Sequence, residues 1–203
     1  MTPSRMTSIL VVCTGNICRS PMAEGFLRAA LRVRFGDSAP EVTSSGTMDL
    51  AGSAATPEAV EAARELGSDI AGHRARQVTI PMASQADLLL CMATDHREAL
   101  ASSAPGLAER AFTMKELVRL LETLPEPAPD AAPAILGSRV ASAEEARRAG
   151  VVPESRDDDV ADPIGQPFEA YRATAWELET WLERLVIGLY GSAAGAESVA
   201  GGA

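Results

Sequence analysis

The chain has 203 residues, and 46% of them are hydrophobic, which is enough for the core of one domain. Its formal net charge of −10 argues against nucleic acids and anionic membrane surfaces as partners. No apolar run approaches the roughly 20 residues that a membrane-spanning helix requires. The odd count of three cysteines does not indicate a secreted disulfide scaffold, and the short polar start does not resemble a secretion signal. We therefore predict a cytoplasmic protein.

The first predicted elements surround the most informative stretch of the chain. Residues 9–12 are four apolar residues that predict a short buried strand. Cys13 and a compact turn with Gly15 and Asn16 follow, and an apolar pattern with helical spacing begins near Pro21. Proline is tolerated in the first turn of a helix because its missing N–H would be unpaired there anyway. The sequence therefore predicts a strand, a tight loop and a helix that ends at a Gly-Asp pair.

A tight loop between a strand and a helix forms an anion site, because its backbone N–H groups lack internal partners and point into one concavity. Cys13 and Arg19 should both reach the rim of this concavity. A helix N-terminus and a nearby cation favour the nucleophilic thiolate form of cysteine. The planar guanidinium of arginine matches two oxygens of a tetrahedral oxyanion. We interpret Cys13 as a nucleophile aimed at a phosphate monoester; the alternative is a structural cysteine beside a surface arginine.

Strand and helix signals alternate through the next hundred residues. The predicted strands are 41–45, 86–92 and 110–113, and the predicted helices are 57–66, a short helix capped by Thr94 or Asp95, and 114–124, with a loop over 68–77. Strands that alternate with helices imply a doubly wound α/β fold with right-handed crossovers. We predict a flavodoxin-like domain with one four-stranded parallel sheet and helices on both faces. The site should lie beyond the carboxyl ends of the strands, where the first strand delivers Cys13.

The last third of the chain is less regular. We predict one domain over residues 1–203 with a core from about residue 8 to residue 190. Residues 125–159 begin with a proline- and alanine-rich stretch and are predicted to be a mobile loop insertion. Within it, residues 142–149 could form a short solvated helix. Residues 191–203 are small and polar, and we expect a disordered tail.

Two further patterns precede the tail. The charge run at residues 156–159 is predicted to be solvated. Residues 167–189 carry apolar and aromatic side chains at helical spacing, which predicts a long amphipathic helix packed on the sheet.

The loop is similar to that of a known family. Residues 13–21, CTGNICRSP, resemble the phosphate loop of the low-molecular-weight protein tyrosine phosphatases, a family that also holds protein arginine phosphatases and thioredoxin-coupled arsenate reductases. Weaker similarity covers most of the chain and includes Asp162-Pro163. The resemblance implies hydrolysis of a phosphorylated protein or peptide through a phosphorylated Cys13, without a metal ion or other cofactor. It also implies that the phosphate is bound by Thr14, Gly15, Asn16, Ile17, Cys18 and Arg19.

Expulsion of the leaving group needs a general acid opposite the nucleophile. The loop contains no carboxylate, so the acid must come from a distant segment. Pro163 restricts Asp162 to an extended backbone just before the long helix, a restraint that Asp157, Asp158 and Asp159 lack. By resemblance, Asp162 also matches the family's Asp-Pro motif, whose aspartate is the general acid and then activates water. We therefore predict Asp162 as the acid.

Three residues are predicted to support the loop. Asn16 can adopt the left-handed conformation and hydrogen-bond within the loop. By resemblance, Asn16 braces the loop and His73 supports it, whereas an exposed loop histidine is the alternative for His73. Ser20 can donate a hydrogen bond to the Cys13 thiolate. The resemblance also implies that Cys18 can form a protective disulfide with Cys13 under oxidation; the alternative is a cysteine packed below the loop.

We predict no catalytic role for Glu24 and no metal site at the loop. Glu24 should lie on the helix face away from the site, in a solvated or capping position. A zinc site is disfavoured because CTGNIC lacks the short ligand spacing and only His73 and His96 are available.

The choice among the family's activities depends first on Ile17. By resemblance, this position is isoleucine in tyrosine-type members and threonine in arginine-type members, and a flat aliphatic wall suits an aromatic ring. Protein-arginine phosphatase is the alternative, supported by the similarity of residues 86–92 with His96, 112–116 and 162–165. An arsenate reductase would need a further pair of cysteines, and only Cys91 is present downstream. A non-catalytic phosphate sensor would need neither a thiolate nor an acid.

Two positions depart from the tyrosine-type pattern. Met48 stands where those members usually carry an aromatic residue, and Ile164 stands where they carry tyrosine after Asp-Pro. Together with Ile17, both are predicted to line the substrate cleft. An aromatic wall adds about 0.5–1.5 kcal/mol of stacking to a phenyl ring, so an aliphatic cleft binds phenyl phosphate less selectively. Phosphotyrosine is still the first choice.

Overall fold

The computed structural model describes residues 7–151 and 157–193. Within these ranges the strands are β1 (Ser8–Cys13), β2 (Glu41–Gly46), β3 (Leu88–Cys91) and β4 (Ala111–Thr113). The helices are α1 (Arg19–Phe35), α2 (Pro57–Glu65), α3 (Ile80–Gln85), α4 (Thr94–Ser103), α5 (Met114–Glu122), α6 (Leu136–Arg148) and α7 (Phe168–Tyr190). None of the helices described has the length and apolar character needed to span a membrane.

The four strands form one parallel sheet in the order β2-β1-β3-β4. Along β1, Ser8 pairs with Glu41 at one end and Cys13 pairs with Gly46 at the other. The chain passes from β1 to β2 on one side and then crosses back to β3 on the other side of β1, so a crevice opens beyond the carboxyl end of β1. The predicted flavodoxin-like topology is confirmed, and Cys13 stands at the mouth of this crevice.

The sheet is buried on both faces, as its continuous apolar strands predict. Ile9 and Val11 of β1 pack into a large core with α1, α5 and α7. Leu10 and Val12 point to the opposite face and pack into a smaller core with α3 and α4. The prediction of helices on both faces is confirmed, and so is the long amphipathic helix, which is α7.

Local signals account for most helix ends. Thr56 caps α2 by accepting a hydrogen bond from Ala59 N at 3.2 Å. The chain leaves this helix at Gly67, whose positive φ of 79° favours glycine. Thr113 and Glu116 form a reciprocal capping box at the start of α5.

Two helix predictions were wrong. Neither Thr94 nor Asp95 caps α4; the N-cap residue is Ala93. Both the N–H and the hydroxyl of Thr94 donate to the carboxylate of Asp159, at 2.7 and 2.9 Å, so the helix is capped by a distant segment. Helix α3 was missed, although Thr79 caps it by accepting a hydrogen bond from Met82 N at 3.3 Å.

The predicted mobile loop over residues 125–159 contains a packed helix instead. Four apolar residues of α6 form one buried stripe: Leu136, Val140, Ala143 and Ala146. Arg147 lies over the Phe112 ring at 4.2 Å and donates to Ala111 O at 2.9 Å. The expectation of a solvated helix failed because alanine is small enough to pack closely and gives a weak amphipathic signal.

The charge run is exposed at Asp157 and Asp159, as predicted, although these residues contact Lys115 and Thr94. Asp158 differs from the prediction, because it is partly buried and pairs with Arg119. Arg156 lies outside the described residues. So do residues 1–6, part of the predicted polar start, and residues 194–203, most of the predicted disordered tail.

Candidate active site

The loop between β1 and α1 fits closely against the end of β2. Asn16 adopts the predicted left-handed conformation, with a φ of 56°. At Gly46, a Cβ atom would lie 2.6 Å from the Thr14 carbonyl oxygen, so only glycine allows this approach of the two backbones. The loop is therefore shaped by its own sequence and by its neighbour strand.

Asn16 is completely buried and uses all of its side-chain hydrogen-bonding groups. Its amide nitrogen donates to Ser20 Oγ at 2.9 Å and to Ser44 Oγ at 2.8 Å. Its side-chain oxygen accepts from the backbone N–H of Arg76 at 2.9 Å. His73 Nε2 lies 2.8 Å from the Asn16 carbonyl oxygen, and burial lowers the pKa of the half-buried His73. The structure thus places Asn16 and His73 behind the loop as a brace.

The sulfur of Cys13 is buried at the end of β1 and has two hydrogen-bond partners. It accepts from Asn16 N at 3.2 Å and lies 2.9 Å from Ser20 Oγ. Because Ser20 Oγ already accepts a hydrogen from Asn16, its own hydroxyl hydrogen is available for the sulfur. Two donors directed at one sulfur suit a thiolate better than a thiol.

The prediction that Glu24 is solvated was wrong. Glu24 is buried behind the loop, where its carboxylate accepts a hydrogen bond from Ser44 Oγ. It also pairs with Arg28, which in turn donates to Val42 O at 3.0 Å. This residue lies on the α1 face that packs against β2, so it orients Ser44 toward accepting from Asn16.

Arg19 joins the loop to the distant segment that carries Asp162. Its guanidinium donates to Thr14 Oγ1 at 3.1 Å and to the carbonyl oxygen of Val160 at 3.1 Å. It also forms an ion pair with the Asp162 carboxylate. Asp162 Oδ1 accepts from Ile164 N at 3.2 Å, which orients the carboxylate. The predicted nucleophile, arginine and acid are therefore brought together.

These side chains surround a cavity of about 160 Å³. It is lined by Cys13, Thr14, Gly15, Ile17, Cys18, Arg19, Met48, Leu50, Asp162 and Ile164. Met48 and Ile164 are about half exposed, at 53% and 47%, and form the rim of this cavity. Leu50 was missed because it follows β2 in an irregular segment without a recognisable pattern.

The other two cysteines differ from Cys13. Cys18 is a buried free thiol with its sulfur 3.6 Å from Thr56 Oγ1, and burial raises its pKa to about 11. Burial likewise raises the pKa of Cys91 in β3 to about 12. Both are therefore neutral near pH 7. Over the described ranges, no group of three or more His, Cys, Asp or Glu side chains is arranged to hold a metal ion.

His96 is a site residue without a predicted role. It lies in the first turn of α4, and its Nε2 is 2.9 Å from Thr14 Oγ1, the same oxygen that accepts from Arg19. Burial, with the adjacent Arg19 charge, lowers the pKa of His96 to about 4. The ring is therefore neutral at pH 7. His96 could have been found from its position just after the third strand, at the edge of the sheet where the site forms.

We expect His96 to make stability depend on pH between about 4 and 6.5. In this window the unfolded state binds a proton that the folded state excludes, so acidification favours unfolding. From its pKa of about 4 against 6.5, the contribution of His96 to the free energy of unfolding should fall by about 2 kcal/mol between pH 7 and pH 5. Urea unfolding at both pH values measures the change. In His96→Gln this contribution should be absent, so the free energy of unfolding should depend less on pH. Equal pH dependence in the two proteins would show that His96 is not the group responsible.

In this cavity a thiol with two donors, a guanidinium and a carboxylate face one space, an arrangement suited to phosphoryl transfer. The family model of the low molecular weight phosphotyrosine protein phosphatases matches residues 8–130, more than half of the chain. The chain belongs to this family. The prediction of a low molecular weight phosphatase is therefore confirmed, although the matched region ends before Asp162.

Relatives of this phosphatase include both activity types. EpsP of Ralstonia nicotianae, named a probable low molecular weight protein-tyrosine-phosphatase, is 41% identical over 54% of this chain and 72% of its own length. The protein-arginine-phosphatase of Geobacillus stearothermophilus is 32% identical over 87% of this chain and 92% of its own length. The crystal structure of the low molecular weight protein tyrosine phosphatase from T. tengcongensis is similar with a TM-score of 0.66 and 34% identity, covering 89% of this chain and 97% of that one.

Proposed function

We propose that this phosphatase is a protein-tyrosine phosphatase that acts through a cysteinyl-phosphate intermediate. The observation that carries the proposal is the convergence of Cys13, Arg19 and Asp162 on one cavity. Its substrate would be a phosphorylated protein or peptide in the cytoplasm. A nucleic-acid partner is disfavoured by the net charge of −10.

In the first step, Cys13 Sγ attacks the phosphorus atom in line with the leaving oxygen. The P–S bond forms as the P–O bond breaks, and the bonding pair goes to the leaving oxygen. Asp162, in its protonated form, gives that oxygen a proton, so a neutral phenol departs. Arg19 and the loop N–H groups stabilise the charge on the three transferring oxygens.

In the second step, water replaces Cys13. The Asp162 carboxylate takes a proton from the water, whose oxygen attacks phosphorus while the P–S bond breaks. The bonding pair returns to Cys13 as a thiolate, which accepts a hydrogen bond from Ser20, 2.9 Å away. Inorganic phosphate leaves, and the proton on Asp162 is ready for the next first step.

Arg19 links substrate binding to the breaking of its own ion pair with Asp162. The same guanidinium nitrogen contacts Thr14 and the Asp162 carboxylate. A phosphate dianion presents two oxygens in the geometry that a guanidinium prefers. Substrate would therefore take over the contacts of Arg19 and leave Asp162 able to carry a proton.

The aliphatic cavity supports phosphotyrosine as the substrate. Ile17, Met48, Leu50 and Ile164 supply apolar walls that suit a phenyl ring better than the polar guanidinium group of phosphoarginine. The second candidate is protein-arginine phosphatase. The Geobacillus stearothermophilus relative of that type supports it, because its similarity extends over 87% of this chain.

We expect kcat/KM for a phosphotyrosine peptide to exceed that for a matched phosphoarginine peptide by about tenfold or more, equivalent to about 1.4 kcal/mol. Phosphate release without added metal measures both rates, with Cys13→Ser as the blank. Ile17→Thr is the matched variant and should reduce the preference. Preference for phosphoarginine would establish the alternative. No Cys13-dependent release from either peptide would favour a reductase or a phosphate sensor.

A further inference from the structure

Lys115, near the start of α5, is 3% exposed and is surrounded by oxygens. Its ammonium nitrogen lies 2.7 Å from Glu177 Oε1, 3.2 Å from Asp157 Oδ1 and 2.9 Å from the backbone oxygen of Asp159. Burial alone would lower the pKa of Lys115, but its bonds to Glu177 and Asp157 outweigh burial and raise it. The side chain is therefore a buried cation shared by α5, α7 and the segment that follows residue 156.

The segment held by Lys115 leads directly to the active site. Val160 N donates to Met92 O at 2.8 Å, and Val160 O accepts from Arg19 at 3.1 Å. Two residues later, Asp162 forms its ion pair with Arg19. The ammonium of Lys115 thus holds the backbone three residues before the carboxylate that we assign as the general acid.

A buried ammonium is a poor choice for stability alone. Well-packed hydrophobic residues commonly replace a buried ion pair without loss of stability, because removing charges from water is costly. A lysine has three N–H donors that can bind three separate acceptors, and here those acceptors belong to two different parts of the chain. This geometry fixes the segment against α7 at a point where a displacement would be passed on to Asp162.

We propose that Lys115 is a positioning residue for the general acid. Its ammonium holds residues 157–160 so that the Asp162 carboxylate stays opposite Cys13. This inference rests on the proposed function, since it requires Asp162 to protonate the leaving group. A misplacement of about 1 Å can cost about 10²-fold in rate, so the effect should be large enough to measure.

Lys115→Met removes the donors and keeps the length of the side chain. The second step is common to all substrates, so the test uses kcat/KM, which reports the first step. Because poor leaving groups depend most on the acid, we expect kcat/KM to fall about tenfold or more on a phosphotyrosine peptide and less than about threefold on 4-nitrophenyl phosphate. The Kd of inorganic phosphate should change little, because Lys115 does not line the cavity. Equal losses on both substrates would overturn the proposal.

The Asp162→Ala background separates positioning from a general loss of structure. Once the acid is absent, Lys115→Met should change kcat/KM by less than about twofold, because the two residues act as one unit. A full further loss in the double variant would show that Lys115 acts elsewhere. If Asp162→Ala alone lowers kcat/KM equally on both substrates, the assigned acid is wrong, and the Lys115 proposal is overturned with it.

Two variants control for stability. Glu177→Gln removes the charge of the α7 partner of Lys115 but keeps an acceptor oxygen and leaves the segment unchanged, so it should keep the leaving-group dependence of the native protein. Lys115→Met combined with Glu177→Met replaces both members of the buried pair and avoids an unpaired carboxylate. This double variant carries the same kinetic expectation if Lys115→Met alone does not fold.

Discussion

Cys13→Ser should lower turnover on phosphotyrosine peptides by about 10⁴-fold or more, since the nucleophile of a covalent mechanism has no substitute. The serine hydroxyl is almost the same size as the thiol, but it is a much weaker nucleophile at neutral pH. Its two neighbouring donors, Asn16 N and Ser20 Oγ, would remain in place. The fold and the anion site should therefore survive, and thermal unfolding with and without inorganic phosphate checks this.

Cys18→Ser is the matched control for the nucleophile. Cys18 lies in the same loop, is buried, and has a pKa raised to about 11, so it is a neutral thiol during turnover. We expect this variant to keep its turnover within about threefold, as a small local change in packing. Retained turnover in Cys13→Ser would rule out the cysteinyl intermediate. A comparable loss in Cys18→Ser would attribute the effect to loop structure.

The second large effect is expected for Asp162→Asn. The amide keeps the shape of the side chain and a polar oxygen near Arg19, but it cannot give a proton to the leaving oxygen. General acids contribute about 10²–10⁴-fold, so kcat/KM on a phosphotyrosine peptide, which reports the step with the leaving group, should fall by that order. The loss should be much smaller on 4-nitrophenyl phosphate, because its leaving group needs less protonation. Steady-state kinetics on both substrates measures the difference.

Asp49→Asn provides the control for charge. Asp49 is an exposed carboxylate between Met48 and Leu50, two residues that line the cavity. It carries the same charge as Asp162 but lies outside the cavity lining, so its removal should change neither kcat nor the dependence on the leaving group. If Asp49→Asn reproduced the Asp162→Asn pattern, the pattern would report on charge near the cleft and not on proton transfer.

The core of the site was predictable because it is contiguous in sequence. The loop follows one strand and starts one helix, and Asn16 carries its own preference for a positive φ, so local rules were sufficient there. Asp162 could be predicted only by adding a chemical requirement: the reaction needs a general acid, and the loop contains no carboxylate. The brace was harder to predict. Ser44 reaches Asn16 and Glu24 only after β2 has paired with β1, and no local pattern indicates that pairing.

Two features of the last third of the chain could not be predicted, for different physical reasons. Helix α6 buries two alanines, Ala143 and Ala146, whose small side chains give a weak amphipathic signal. The charge run is largely exposed, as predicted, but its pairing with Lys115 and Arg119, about forty residues away in sequence, could not be foreseen. Long-range pairing of charges is invisible to a local pattern, and in this chain it fixed the segment that carries Asp162.

The brace around Asn16 makes the active site a late product of folding. Asn16 forms hydrogen bonds with residues of α1, β2 and the segment 73–76, up to sixty positions away in the sequence. These bonds form only when the three segments have come together. Contacts of such separation form slowly, because the chain entropy of the intervening segment must be lost first. An anion that binds this loop therefore selects fully folded molecules, and by mass action at 100 times its Kd it would add about 2.7 kcal/mol to the free energy of unfolding. Binding of an anion to the phosphate loop therefore reports that the whole domain has folded.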